Sequence, residues 1–236
     1  MKTSIDEIKK ILEENGQSHL LNFWNNLSVQ SREKLISQIK AIDFKVLARM
    51  KNALVNASGK IQHTDIEPAD VLELSEPEKQ RAMVKGEEAI KNNSTAVLLV
   101  AGGQGSRLGF EGPKGIYPIG PVSHCSLFYI HARKILALER KYCAGIPFYI
   151  MTSHSNDSAT REFFAENKFF GLNEERVKFF TQGMWPALFP DGRIVMDAPD
   201  SIFRSPDGHG GVLNALRQTG MFEDMRRHGV KTVFYF

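Results

Sequence analysis

The amino-acid sequence predicts an α/β fold in which a doubly wound, mainly parallel sheet follows a helical N-terminal module. Apolar residues recur at helical spacing over residues 4–55, whereas from residue 78 onward short apolar runs alternate with helical patterns. Strands that alternate with helices favour parallel pairing with right-handed crossovers. We therefore expect a helical module over 1–58, a linker and leading helix over 59–94, and an α/β domain over 95–236.

The N-terminal module is predicted to contain four helices. In the first, Ile5, Ile8 and Leu12 lie on one helical face. The same spacing indicates a short second helix and two further helices, at residues 20–27, 35–39 and 46–54. Between residues 56 and 77 the pattern changes to Gly, His, Asp and Pro, which indicates a linker or a loop laid over the next domain.

The α/β domain is predicted from short apolar runs separated by amphipathic segments. A helix near residues 78–92 precedes an apolar run at 95–100 that ends in glycines and is typical of a buried strand. Further helices are expected at 126–142 and 157–167, and further strands at 146–151 and 177–180. Because ligands bind beyond the carboxyl ends of such strands, we expect the loops after Val100, Met151 and Phe180 to converge on one crevice.

The composition argues against several classes of function. The 30 basic and 27 acidic residues are spread along the chain and give a formal net charge of +3, so nucleic acid is not an expected partner. No segment approaches the roughly 20 apolar residues of a membrane span, so no membrane partner is expected. Cys125 and Cys143 lack metal-ligand spacing and are expected to be reduced, as in a cytoplasmic protein. The composition leaves the oligomeric state open.

A glycine-rich loop follows the first predicted strand and is the strongest functional signal. Glycines stand at positions 102, 103, 105 and 109, with Arg107 and Lys114 nearby. Glycines after a buried strand let the backbone turn sharply and leave N–H groups free to bind phosphate oxygens. The two cations would bind a triphosphate and stabilise the charge that shifts onto the leaving pyrophosphate. The loop therefore predicts nucleotidyl transfer.

Two better-known phosphate-binding loops do not fit this spacing. Walker A requires four residues between its first glycine and Gly-Lys-Ser/Thr, and the dinucleotide fingerprint requires G-x-G-x-x-G. Here Gly103 and Gly105 are followed by Gly109, one residue too late. That spacing, and the lack of an acidic residue at the end of a second strand, weigh against an NAD-dependent oxidoreductase. A glycine-rich turn that serves only chain geometry is the plain alternative.

The loop and three later blocks resemble the eukaryotic-type UDP-sugar pyrophosphorylases, and most closely the UDP-N-acetylglucosamine pyrophosphorylases. The loop of that family reads L-x-G-G-x-G-T-R-L-G-x-x-x-P-K, and this chain has Val100 for the leucine and Ser106 for the threonine. The later blocks are Met151-Thr152-Ser153, Phe180-Thr181-Gln182 with Pro186-Ala187, and Ser205-Pro206-Asp207-Gly208-His209-Gly210-Gly211. The resemblance covers roughly residues 40–236 in collinear order.

The resemblance implies a Rossmann-like nucleotidyltransferase, a UTP:sugar-1-phosphate uridylyltransferase that releases pyrophosphate and forms a UDP-sugar. Its partners would be UTP and a sugar 1-phosphate, which would attack the α-phosphorus of UTP without a covalent enzyme intermediate. Arg107 and Lys114 are implied as catalytic residues that neutralise charge together with Mg²⁺. The resemblance implies nucleotide binding by Val100, Ala101, Gly102, Gly103, Gly105, Lys114, Gln182 and Gly208, and substrate binding by His209.

Two of these implied roles have plain alternatives. Gln182 would read uracil, because an amide donates and accepts at once, yet without the family it would be an ordinary surface residue. His209 stands where the N-acetylglucosamine enzymes usually have asparagine, whereas the glucose-1-phosphate enzymes more often have Gly-His-Gly. An isolated histidine here would instead pack against or cap the following helix. The sugar is therefore left open between N-acetylglucosamine 1-phosphate and glucose 1-phosphate.

The sequence ends in residues 230–236, an apolar run that predicts a strand entering the core. Because domains rarely end in such a strand, we expect a truncated chain whose own activity is open. In the family the metal-binding aspartate follows this strand, so the main Mg²⁺ ligand is expected beyond residue 236 and no metal ligand is expected among the residues present. The alternative function is a non-catalytic nucleotide-binding fragment or paralogue that lacks this aspartate.

Overall fold

The computed structural model describes residues 5–56 and 67–236. The chain divides into two compact units. The helical unit consists of Met1–Asp70 and Met184–Ser205, and the sheet unit consists of Val71–Gly183 and Pro206–Phe236. Within the described ranges, none of the helices combines the length and the apolar character that crossing a bilayer would require.

The helical unit is built from short amphipathic helices. In chain order these are α1 (Ile5–Glu14), α2 (Val29–Lys40) and α3 (Phe44–Asn56), with 3₁₀ turns at Ser18–Leu21 and Trp24–Asn26. Ser28 and Asp43 accept hydrogen bonds from backbone N–H groups in the first turns of α2 and α3, which fixes where these helices begin. The prediction of a helix at 20–27 is wrong. Asn22, Asn25 and Asn26 favour turns over helix continuation, and the two 3₁₀ turns occupy this stretch.

The sheet unit alternates helices with strands. Its elements are α4 (Glu76–Lys91), β1 (Thr95–Val100), α5 (Leu127–Tyr142), β2 (Phe148–Thr152), α6 (Asp157–Glu166), β3 (Val177–Thr181), α7 (Val212–Gln218), α8 (Met221–Arg227) and β8 (Thr232–Tyr235). Four of the strands form one parallel sheet in the order β3-β2-β1-β8. In its register Val97 lies opposite Phe148, and Thr95 opposite Thr232. This topology confirms the predicted α/β fold.

Alternate residues of the strands contribute to two cores. Val97 and Leu99 face a core that includes residues of α5 and α6, whereas Ala96 and Leu98 face a core that includes residues of α7 and α8. Strands that are covered on both faces need apolar side chains at nearly every position, which is why they read as continuous apolar runs. The sheet is therefore doubly wound, as predicted.

Four short strands lie between β3 and α7: β4 (Met184–Pro186), β5 (Met196–Ala198), β6 (Ser201–Ile202) and β7 (Arg204–Pro206). The sequence predicts that this segment belongs to the α/β domain, yet Ile194 and Ile202 are buried in the core of the helical unit. The fully buried Gln17 amide donates to the Gly192 carbonyl at 3.0 Å and accepts from the Ile194 N–H at 2.9 Å. Residues 57–66 of the expected linker lie outside the described residues, and the expected leading helix corresponds to α4.

Candidate functional site

The loops after β1, β2 and β3 meet at the carboxyl edge of the sheet. The Asn156 side chain, in the loop after β2, donates to the Ala101 carbonyl at 2.9 Å. The Gln182 N–H, just after β3, donates to the Thr152 carbonyl at 2.8 Å. Gly102 lies against Gln182, because a Cβ built on Gly102 would stand 2.9 Å from the amide nitrogen of that side chain. The three loops therefore form one crevice, as the parallel sheet predicts.

The glycine-rich loop presents a row of free backbone N–H groups. Within the part of the chain that the structure describes, the N–H groups of residues 102–104 have no hydrogen-bond acceptor. The loop is fixed on either side of them. The Ala101 N–H donates to the Met151 carbonyl at 2.7 Å, and the Gly105 N–H donates to the Gly112 carbonyl at 2.8 Å. Free successive N–H groups after a strand are a suitable place for phosphate oxygens.

Two cations accompany this loop. The Nζ of Lys114 lies 4.0 Å from the position that a Cβ on Gly103 would take. Arg107 is exposed on a 3₁₀ turn, Ser106–Leu108. Across residues 5–56 and 67–236, neither cation forms an ion pair with an acidic side chain. Both charges are therefore available to an anion bound at the loop.

Gln182 is buried without a partner for its side chain. The residue is only 5% exposed. Its amide forms no hydrogen bond with any residue that the structure describes, although the amide group can donate twice and accept twice. The amide oxygen and nitrogen are not among the buried side-chain atoms that lack a partner, so they reach the solvent of the crevice and are available to a ligand.

The predicted loop Gly208–Gly211 adjoins Gln182 through the next residue, Gly183. The Asp207 N–H donates to the Gly183 carbonyl at 3.1 Å. The Asp207 carboxylate occupies the space that two glycines leave open, because a Cβ on Gly183 or on Gly211 would stand 2.3 or 1.9 Å from its Oδ2. Burial raises the pKa of this carboxyl, and its Oδ1 is buried with no hydrogen-bond partner among the described residues.

His209 contacts β8. Its ring Nδ1 shares a hydrogen bond with the Tyr235 hydroxyl, and the two rings meet edge to face with centroids 5.7 Å apart. Both residues line a cavity of about 510 Å³, which is completed mainly by apolar side chains of β1, α7, α8 and β8. Tyr235 is absent from the sequence-based site. A tyrosine in a terminal apolar run resembles any core residue, so the sequence contains no local signal for this contact.

Asn156 is a second residue of the crevice that no sequence motif indicates. It is 1% exposed, and its side chain joins the loop after β2 to the glycine-rich loop. Its only sequence signal is a polar run, Ser153-His154-Ser155-Asn156, at the end of a predicted strand whose loop is expected to reach the crevice.

The described residues contain no group of three or more His, Cys, Asp or Glu side chains arranged to hold a metal ion. Proteins usually hold Mg²⁺ at nucleotides through one or two carboxylates, together with waters and phosphate oxygens. In the crevice Asp207 supplies a carboxylate, but its Oδ1 is buried and its Oδ2 packs against Gly183 and Gly211. These residues do not form a magnesium site by themselves, and the Mg²⁺ requirement stays a prediction.

Comparison with known families finds a family model that matches most of the chain. A family model described as UTP–glucose-1-phosphate uridylyltransferase matches residues 43–236. The chain belongs to this family. The family assignment confirms the resemblance found in the sequence.

Individual relatives agree with the family. The UDP-N-acetylglucosamine pyrophosphorylase of Saccharomyces cerevisiae is 36% identical over 98% of this chain and 52% of its own length. The UDP-N-acetylglucosamine diphosphorylase 2 of Arabidopsis thaliana is 34% identical over 94% of this chain and 47% of its own length. The solved uridine diphosphate N-acetylglucosamine pyrophosphorylase of Trypanosoma brucei, in complex with an inhibitor, matches with a TM-score of 0.72 and 27% identity, covering all of this chain and 51% of that one. The chain spans about half the length of the curated relatives it matches.

Proposed function

We propose that the sheet unit binds UTP in the crevice at the ends of β1, β2 and β3, as the nucleotide-binding part of a UTP:sugar-1-phosphate uridylyltransferase. One observation carries the proposal: the unpaired Gln182 amide packs against Gly102, beside the free N–H groups of residues 102–104. UTP has a base edge that both donates and accepts, and a polyphosphate that only accepts. In the crevice the Gln182 amide can pair with the base edge, and the adjacent N–H groups of residues 102–104 can bind the polyphosphate.

Uracil is the base that we assign to Gln182. The imide edge of uracil presents an N–H between two carbonyl oxygens, and a primary amide can pair with that N–H and one of the oxygens. A glutamine amide can also pair with other bases, so the choice of uracil rests on family membership. Gly208 would contact the nucleotide from the neighbouring loop, which the hydrogen bond between Asp207 and Gly183 holds beside Gln182. Glycine adopts the left-handed φ of 55° found there without the strain of a side chain.

The polyphosphate would lie on the glycine-rich loop. In the proposed reaction an oxygen of the sugar phosphate attacks the α-phosphorus of UTP, the bond to the bridging oxygen breaks, and pyrophosphate leaves with that electron pair. Negative charge then grows on pyrophosphate. The N–H groups of residues 102–104, together with Lys114 and Arg107, are suited to stabilise it, and the reaction needs no nucleophile from the chain.

The sugar substrate that we favour is N-acetylglucosamine 1-phosphate, because relatives at 34% and 36% identity carry the name of that activity. Glucose 1-phosphate is the second candidate, since the family description names it and His209 is typical of the enzymes that use it. A protein that binds the nucleotide without catalysis is the candidate from another class. It is favoured by the coverage of only about half of each relative.

Two measurements test the proposal. Calorimetric titration should show that UTP binds more tightly than ATP, and a chain that binds no uridine nucleotide would contradict the proposed site. Exchange of labelled pyrophosphate into UTP, with either UDP-sugar as the partner, separates catalysis from binding alone. Exchange with UDP-N-acetylglucosamine that exceeds exchange with UDP-glucose supports the favoured substrate, whereas binding without exchange supports the non-catalytic candidate.

A further inference from the structure

Asn156 directs its side chain away from its own helix. It immediately precedes α6, where an asparagine usually accepts a hydrogen bond from the first turn of the helix, but its side chain makes no such bond. Instead its Nδ2 donates to the Ala101 carbonyl at 2.9 Å, and its Oδ1 accepts from the Ser153 N–H at 2.8 Å. At 1% exposure, this amide is a buried link between the loops after β1 and β2.

The bond to Ala101 fixes the direction of a neighbouring N–H group. The Ala101 carbonyl and the Gly102 N–H belong to the same peptide group, and in a trans peptide the two point in opposite directions. While the carbonyl is held by Asn156, the Gly102 N–H must point the other way. That N–H is the first of the three free groups of the glycine-rich loop.

The peptide between Gly103 and Gln104 is fixed in the same way. The Gly103 carbonyl accepts from the Lys114 N–H at 3.0 Å and lies 3.4 Å from the Asn156 Nδ2. Both carbonyls are thus occupied within the protein and kept from a bound anion, which would repel them. A glycine backbone has no side chain to hold such an orientation by itself.

We propose that Asn156 is a positioning residue for nucleotide binding, which keeps the Ala101 and Gly103 carbonyls turned inward and thereby turns the Gly102 and Gln104 N–H groups toward the phosphates. The inference rests on the proposed function, because it assigns phosphate binding to this loop. Asn156 itself touches no phosphate. Its effect should therefore grow with the number of phosphates on the ligand and be small for uridine.

The central test is Asn156→Asp, which keeps the shape and the acceptor for Ser153 but removes the donor to Ala101. Losing a positioned hydrogen bond of this kind should raise the Kd for UTP by about tenfold or more, and the Kd for uridine by less than about threefold. Asn167→Asp is the matched control. That asparagine, at the opposite end of α6, also donates to a backbone carbonyl, of Phe163, at 2.8 Å, but it is exposed and lies outside the crevice.

Asn156→Leu separates positioning from charge, since leucine has a similar shape and brings no carboxylate toward the phosphates. We expect the same selective loss of UTP binding in both Asn156 variants. A loss in Asn156→Asp alone would mean that repulsion causes the effect, and equal losses for UTP and uridine would mean a general structural role. Either result, or unchanged UTP binding, would overturn the proposal.

Amide hydrogen exchange in the chain without nucleotide gives a readout that does not depend on UTP. The Gly105 and Lys114 N–H groups are bonded within the loop, at 2.8 and 3.0 Å, and should exchange faster in both Asn156 variants than in Asn167→Asp. Unchanged exchange there would also overturn the positioning role. If the parent chain and Asn167→Asp bind no UTP while the exchange still responds to Asn156, the proposed function fails and the link between the loops stands.

Discussion

Two glutamines, one in each compact unit, are buried to nearly the same extent but differ in their partners. Gln17 of the helical unit is 0% exposed and Gln182 of the sheet unit is 5% exposed. The Gln17 amide binds the Gly192 carbonyl and the Ile194 N–H, whereas the Gln182 amide binds no group in the described part of the chain. Burial alone does not distinguish an amide that holds the fold from one that is available to a ligand. The hydrogen-bond partners of the two amides distinguish these roles.

The largest effect is expected on stability, from Gln17→Leu. The change leaves the Gly192 carbonyl and the Ile194 N–H buried without partners, which should lower the free energy of unfolding of the helical unit by about 3 kcal/mol. Urea unfolding followed by tryptophan fluorescence measures it selectively, because Trp24 and Trp185 both belong to the helical unit. The exposed Gln30→Leu is the control, expected within about 0.5 kcal/mol of the parent. Equal stability of the two variants would refute the structural role of Gln17.

Lys114→Ala should have the next largest effect, on binding rather than on stability. Loss of a charge-assisted contact costs about 1.5 to 3 kcal/mol, so UTP should bind roughly ten- to hundredfold more weakly while uridine is nearly unaffected. Calorimetry with both ligands measures the difference, and Lys85→Ala on the exposed surface of α4 is the control. Equal losses for uridine and UTP would show that Lys114 supports the fold and that the phosphates bind elsewhere.

Gln182→Ala tests whether the Gln182 amide binds the nucleotide base rather than stabilising the fold. Since the amide has no partner within the described chain, its removal should change the free energy of unfolding by less than Gln17→Leu does. UTP affinity should fall by about fivefold, for one lost pair of hydrogen bonds to the base, and ATP affinity should fall less. A variant that is as destabilised as Gln17→Leu, or that loses UTP and ATP equally, would show that Gln182 does not read the base.

The smallest effects on stability are expected from replacing two aspartates whose pKa values shift in opposite directions. Burial raises the pKa of Asp207 in the sheet unit, whereas hydrogen bonds from the Arg193 backbone and side chain lower the pKa of Asp191 in the helical unit. Above its usual pKa an ionised Asp207 costs stability, so Asp207→Asn should stabilise the chain slightly at neutral pH. Asp191→Asn should do the reverse, and its contribution is lost as the pH falls through the lowered pKa.

Urea unfolding at about pH 7 measures the opposite effects of the two variants. For Asp207→Asn it is repeated at about pH 3, where the Asp207 carboxyl is protonated in the folded and the unfolded chain alike. The Asp207→Asn effect should then disappear. A destabilising Asp207→Asn at neutral pH would mean that the carboxylate, rather than a protonated carboxyl, is the form that fits between Gly183 and Gly211.

Much of the sheet unit could be predicted because its signals are local. The apolar run of β1 followed by glycines indicates both a buried strand and the loop after it, and the parallel topology then brings Gln182 to Gly102. The family is confirmed, while the roles of the individual site residues stay predictions.

The features that the sequence did not reveal depend on contacts between distant residues. Ile194 is an ordinary apolar residue until Gln17, far away in the sequence, binds its N–H group. Asn156 stands at the start of a helix, where an asparagine needs no further explanation, and only the structure shows that its side chain holds Ala101. Tyr235 is likewise one more aromatic residue of an apolar strand until it meets His209.

The strand order has a consequence for how the sheet unit is made. β1 lies between β2, which follows it closely along the chain, and β8, which forms from the last residues of the sequence. Because non-local pairing is slow and a growing chain folds from its N-terminus, β1, β2 and β3 can pair on the ribosome before β8 has emerged. The crevice formed by the loops after β1, β2 and β3, which includes the glycine-rich loop, should therefore fold first. His209 can meet Tyr235, and the cavity beside them can close, only when synthesis reaches β8.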